Sequence, residues 1–306
     1  MGTSPKLINS YLLHLGYNMW ADREVPDWHS GYITAQPYLR CDRSLWNDVL
    51  ARMVQIGMNM VVIDLGEGVR YDSHPELAVL NSWTPQELRA ELARIRQMGL
   101  EPIPKLNFST CHDAWLGPYS RMVSTRVYYD VCQELIAEVT ALFDKPRFFH
   151  IGMDEETARH QRNFEYAVMR QYDLWWHDLY FLLEQVEKNG VRPWMWADYA
   201  WEHHDEFYAR MPKSVLQSNW YYGAEFGPEL QYVKTYVDLE KHGFDQVPTG
   251  SMWSNDVNFG RTVEFCRQYI APERLLGFMQ TVWHPTLEEC RPKHVKALDQ
   301  VAAALG

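Results

Sequence analysis

Cysteine is scarce in this 306-residue chain: Cys41, Cys111, Cys132, Cys266 and Cys290 are odd in number and contain no CxxC spacing. That excludes a disulfide framework and gives no ligand set for a structural zinc site. Positive charge is also short, with 29 basic against 40 acidic residues and a formal net charge of −11. The balance argues against nucleic acid or an anionic membrane surface as a partner. No apolar run approaches the roughly 18 residues of a membrane span, and the opening MGTSPKLINSYLL lacks a secretory pattern. A cytoplasmic location is the expectation. There is no Gly/Ser/Pro-rich linker, no low-complexity stretch and no Gly-x-Ser-x-Gly elbow. Tyr222-Gly223 and Phe226-Gly227 lack phosphate-loop spacing, so no cofactor is expected.

Hydrophobic residues, at 46%, and aromatics, with 13 tryptophans among them, are plentiful. Eight short β-branched or apolar runs alternate with helical patterns: Ser10–Gly16, Asn59–Leu65, Glu101–Asn107, Arg147–Gly152, Arg192–Ala197, Ser214–Trp220, Gln246–Trp253 and Leu275–Val282. Leu45, Val49, Met53 and Ile56 recur at helical spacing up to Gly57. Thr84-Pro85-Gln86-Glu87 reads as a capping box with an N1 proline, Leu88, Leu92 and Ile95 as its buried stripe, and Gly99 as the stop. Further helices are expected over roughly 124–143, 165–189, 229–242, 258–270 and 293–305, with a short one over 204–211. Strands alternating with helices imply a parallel sheet. Eight units of about 38 residues match a single (β/α)8 barrel spanning 1–306, without an accessory domain. A doubly wound open sheet is the alternative.

In such a barrel the chemistry lies at the C-terminal ends of the strands. The polar residues there are Asn18, Asp64, Glu67, Asn107, His112, Asp154, Glu155, Asp198 and His284. Four runs close on tryptophan (Trp196, Trp220, Trp253, Trp283), the last four strands in order, as walls that stack on sugar rings would. The most distinctive string is Arg147-Phe-Phe-His-Ile-Gly-Met-Asp-Glu-Glu156, a strand that ends in three acids. Close like charges raise a carboxyl pKa, as general-acid work requires. An acidic helix N-terminus would give the same string. His203 and His204 are adjacent and point apart on a helix, so no metal site is expected there. Tyr172, Trp175, Trp176 and Tyr180 have the spacing of a helix packing face.

Phe149-His150-Ile151-Gly152-Met153-Asp154-Glu155 resembles the His-x-Gly-Gly-Asp-Glu signature of glycoside hydrolase family 20, the β-N-acetylhexosaminidases, with Met153 at the second glycine. Met58 to Glu67, Pro102 to His112, Met195–Asp198, Gln217–Trp220 and Leu276–Trp283 resemble further strands of that family in barrel order. The resemblance implies a retaining exo-glycosidase assisted by the substrate's 2-acetamido group, an exception to the two-carboxylate scheme. Glu155 would be the acid/base, Asp154 would stabilise the acetamido group, and a Glu67–His112–Glu155 relay would tune the acid. A carbohydrate would be bound by Asn18, Asn107, His150, Trp196, Asp198, Trp220, Tyr221, Trp253, Trp283 and His284. Departures are equally clear. Asn18 stands where the family has a sugar-gripping arginine, and Lys105 and Asn107 replace acids. Trp283-His284 replaces Trp-Glu, and Ser251-Met-Trp-Ser-Asn-Asp256 replaces a Tyr-x-Asp. Two other functions stay open: a barrel glycosidase using direct water or a carboxylate nucleophile, and a non-catalytic carbohydrate-binding barrel.

Overall fold

The computed structural model describes residues 7–26 and 31–305; Met1–Lys6, part of the opening stretch read for a leader, lie outside them. The order along the chain is β1 (Ile8–His14), α1 (Arg43–Gln55), β2 (Met60–Asp64), α2 (Pro85–Gln97), β3 (Glu101–Lys105), α3 (Arg126–Leu142), β4 (Phe148–His150) and α4 (Asp173–Lys188). There follow β5 (Arg192–Trp196), α5 (Tyr199–Glu202), α6 (His204–Arg210), β6 (Leu216–Ser218), α7 (Gln231–Lys241), β7 (Thr249–Ser251), α8 (Asn258–Tyr269), β8 (Gly277–Thr281) and α9 (Arg291–Leu305). All strand pairs are parallel, in the order β6-β5-β4-β3-β2-β1-β8-β7. Bridges Gln217↔Gln246 and Trp220↔Thr249 join β6 to β7 and close the ring. The fold is a (β/α)8 barrel, and the open-sheet alternative is set aside.

Local chemistry explains the elements. In α2, the Glu87 amide donates to Thr84 Oγ1 (3.2 Å) and the Thr84 amide donates to Glu87 Oε2 (2.8 Å), so both halves of the capping box form. Leu88, Leu92 and Ile95 are fully buried. Strand alternation sorts side chains into two cores. Tyr11, Leu13, Val61, Ile63 and Phe149 pack outward under the helices. Leu12, Met60, Val62, Ile103, Phe148, Trp194 and Trp196 fill the barrel interior.

The clearest departures from expectation are two boundaries and one helix face. β4 ends at His150 because Gly152, Met153 and Glu155 take left-handed φ of 73°, 74° and 56°, which no strand continues. Helix α4 begins at Asp173 rather than 165, because the preceding residues are tied inward: the Val168 amide donates to Gln161 Oε1 (2.6 Å) and Arg170 turns into the core. Only Trp175 and Trp176 of the expected aromatic face are buried; Tyr172 is 77% exposed and precedes the helix.

Candidate active site

The last inward position of each strand forms a sealed floor. His14 and Asp64 lie 3.5 Å apart, and Lys105 Nζ donates to Asp64 Oδ2 at 2.5 Å. Burial alone would raise the Asp64 carboxyl, but Lys105 and His14 hold it down at about 2. Across the floor, His150 packs on Trp196 with ring centroids 4.5 Å apart, and both are fully buried. Burial, with Lys105 nearby, pushes the His150 imidazole well below its usual pKa, so it is neutral and its Nδ1 accepts the Gly152 amide (3.1 Å).

Above this floor opens a cavity of about 770 Å³ at the C-terminal ends of the strands. Its base is the turn 152–155, anchored strand by strand. The Gly152 amide is held by His150, the Met153 amide donates to Asn107 Oδ1 (3.2 Å), and the Glu155 amide donates to Asp198 Oδ2 (2.8 Å). A Cβ on Gly152 would lie 1.9 Å from Asn107 Oδ1, so only glycine fits. Met153 keeps a glycine-like φ at the position where the resembled signature has glycine. Left-handed non-glycine residues cost of order 1–3 kcal/mol each and persist where surroundings over-determine them. The third acid, Glu156, turns away: Arg170, itself buried, holds its Oε1 at 2.5 Å. Two carboxylates therefore face the cavity.

His112 joins them. Its Nε2 lies 3.2 Å from Glu155 Oε2 and 3.4 Å from Asp154 Oδ2. Burial disfavours the imidazolium, yet Asp154 and Glu155 outweigh it and lift His112 to about 9. Glu155 is pushed up by burial but ends below its ordinary value, because His112 and, more distantly, His160 stabilise its anion. Asn107 Nδ2 donates to Asp154 Oδ1 (2.8 Å). Donor atoms of His112, Asp154 and Glu155 lie within 4.8 Å of one another, close enough for a three-ligand cation site. With the proton on His112, the three form an ion-pair cluster.

The walls are aromatic. Trp220, Tyr221 and Tyr222 follow β6, Trp253 follows β7, and Trp283 follows β8. Trp283 Nε1 donates to the Tyr222 hydroxyl (3.0 Å), and the Tyr17 hydroxyl donates to the Trp283 carbonyl (2.6 Å).

Of the residues expected from sequence, Asn107, His112, Asp154, Glu155, Trp220, Tyr221, Trp253 and Trp283 line this cavity. The others do not. Glu67 is buried and accepts the amides of Tyr17 (2.7 Å) and Asn18 (3.1 Å); His112 Nδ1 has no hydrogen-bond partner among the described residues, and Glu67 does not reach it. Asn18 is clamped by Arg40 (2.8 Å) and by the Gln36 backbone (2.9 Å). His150 and Trp196 belong to the floor. Asp198 lies behind Glu155 and accepts the Trp220 indole N–H (3.4 Å); burial, with Asp154 adjacent, pushes its carboxyl up to about 8. His284 is buried, with Nδ1 3.0 Å from the Val282 carbonyl and its ring 5.4 Å from Trp253. The reading from sequence missed Tyr17, Trp20 and Tyr222, and also Arg159, His160 and Arg162 on the β4–α4 connection. Tyr222 was within reach, since it lies two residues beyond a wall tryptophan and so follows the same strand. Arg159 carried no such signal.

No family model and no curated protein matches the sequence. Solved structures do match the fold. A Flavobacterium johnsoniae chitobiase aligns with 87% of this chain and 46% of its own at 18% identity and a TM-score of 0.64. A Streptomyces plicatus N-acetyl-β-hexosaminidase covers 97% and 63% at 14% identity and 0.66. A Vibrio harveyi family 20 exo-β-N-acetylglucosaminidase, solved with N-acetylglucosamine, covers 98% and 55% at 13% identity and 0.65. The chain thus spans roughly half to two thirds of these proteins. The likeness establishes the barrel, and it falls on the same family whose signature residues 149–155 resemble.

Proposed function

We propose that the protein is a retaining exo-glycoside hydrolase acting on a terminal 2-acetamido sugar. The observation that carries this reading is the turn 152–155, which turns adjacent carboxylates, Asp154 and Glu155, into one aromatic-walled cavity with His112 bridging them. Glu155 protonates the glycosidic oxygen as the acetamido carbonyl oxygen attacks the anomeric carbon. The C–O bond to the leaving group breaks and an oxazolinium ion forms. Asp154, fixed by Asn107, accepts the acetamido N–H and offsets the charge that develops. Glu155, now a carboxylate, takes a proton from water as that water opens the ring and restores the configuration. This chemistry needs no cofactor.

Before substrate binds, Glu155 and His112 share one proton as carboxylate and imidazolium. Moving it to Glu155 gives the neutral acid, and a glycoside excluding water from the 28%-exposed Glu155 side chain favours that form. The pair, not either residue alone, titrates. The approach of both carboxylates to one His112 Nε2, at 3.2 Å and 3.4 Å, sets them close together. It also supports a second reading, in which Asp154 is itself the nucleophile. Matched aryl glycosides with and without the 2-acetamido group separate the two, together with binding of a thiazoline mimic of the cyclised ion. Substrate assistance predicts hydrolysis of the acetamido series and tight thiazoline binding that Asp154→Asn weakens sharply. Equal turnover of plain glycosides without thiazoline binding would make Asp154 the nucleophile.

A further inference from the structure

We infer that the leaving-group side of this cavity is built for an anionic partner sugar, one bearing a carboxylate or a sulfate ester. The inference rests on the glycosidase reading above. Glu155 must meet the glycosidic oxygen, so side chains flanking its outer edge face the leaving group rather than the terminal sugar. That flank is the segment Arg159-His160-Gln161-Arg162, where His160 Nε2 lies 3.5 Å from Glu155 Oε1.

Arg159, His160 and Arg162 all line the cavity, although the chain as a whole carries a net charge of −11. Arg159 is exposed and forms no ion pair with a described residue. Among the described residues, the cavity's only carboxylates are Asp154 and Glu155, both committed to the chemistry and to His112. Arg159, with Arg162 and His160 in the same four positions, puts guanidinium charge beside the acid on an acidic protein, a local field that would draw in an anionic ligand. A guanidinium can meet a carboxylate or sulfate with two parallel hydrogen bonds.

The test compares disaccharides in which a 2-acetamido sugar is β-linked to glucose, to glucuronate or to a sulfated glucose. The expected result is a kcat/KM about tenfold higher for one or both anionic substrates, as one added charge-assisted contact provides. The advantage should shrink as salt is raised. Arg159→Gln should collapse the anionic-to-neutral ratio towards one, while Arg159→Lys retains part of it. The glucuronate and sulfate arms report which anion is taken. Cleavage of the glucose disaccharide with no anionic preference, or a preference that survives Arg159→Gln, overturns this inference and leaves the glycosidase intact. Failure to cleave any 2-acetamido glycoside overturns both.

Discussion

The floor of the cavity and the turn just above it are built from the same residue types and behave as opposites. Both contain histidine, acid and tryptophan at or just beyond the strand ends. On the floor, His14, Asp64, Lys105, His150 and Trp196 point inward with the strand alternation and are sealed from solvent. One station later the chain has left the strand, and Asn107, His112, Asp154, Glu155 and Trp220 line the opening. Strand parity decides which carboxylate is ballast for the barrel and which can reach a substrate.

That contrast can be broken by substitution. The largest effect is expected at Glu155→Gln, where loss of the general acid should lower kcat by at least about a hundredfold with the unfolding midpoint little changed. Asp154→Asn should cost about 10²–10³ in kcat on 2-acetamido substrates, as removal of a positioned stabilising group does. On the floor the order reverses. Lys105→Met leaves Asp64 buried without its cation and should cost about 3–5 kcal/mol of stability, measured by denaturant unfolding, while the folded fraction retains its turnover. A floor variant that lowers kcat without loss of stability would dissolve the distinction.

A subtler effect concerns pH. His112 titrates at about 9 in the fold, above its unfolded value. Its contribution to stability is therefore complete below about 6.5 and lost as pH rises through 9. The same proton serves catalysis, so kcat/KM should fall on the alkaline side near 9. Asp198, raised to about 8, acts in the same direction on stability, its favourable contribution fading as pH climbs from about 4 to 8. Asp198→Asn should flatten the stability decline in that window and leave the activity limb near 9 in place. Urea unfolding and initial rates across pH 5–10 check both.

Much of this was legible in the sequence. Periodicity and punctuation carry the barrel: the Thr84–Glu87 box and the buried stripe of α2 form as read, and each of the eight apolar runs overlaps one strand. The acid pair stood out because three consecutive acids end an apolar strand, and the structure turns two of them into the cavity. Parity was not legible, because a shift of one residue in where a strand stops moves a side chain from floor to wall. That is why His150, Trp196 and Asp198 were expected to touch ligand and instead support the residues that line the cavity. Glu67 and Asn18 lie away from the cavity for another reason. Their partners, the Tyr17 amide and Arg40, are set by loop closure over distances that no local pattern encodes. The basic connection at 159–162 falls on a single 3-10 turn between β4 and α4, too short for spacing to say which way a side chain faces.

The most direct test of the central claim is the rate of Glu155→Gln across aryl 2-acetamido glycosides of rising leaving-group pKa. An acid that protonates the glycosidic oxygen matters little when the departing phenolate is already stable and greatly when it is not. The loss should therefore be small for the most acidic phenols and grow steadily towards alkyl-like leaving groups, where the variant should be nearly inactive. A loss that is the same for every leaving group, or full activity on the poorest one, would contradict the assignment of Glu155 as the acid.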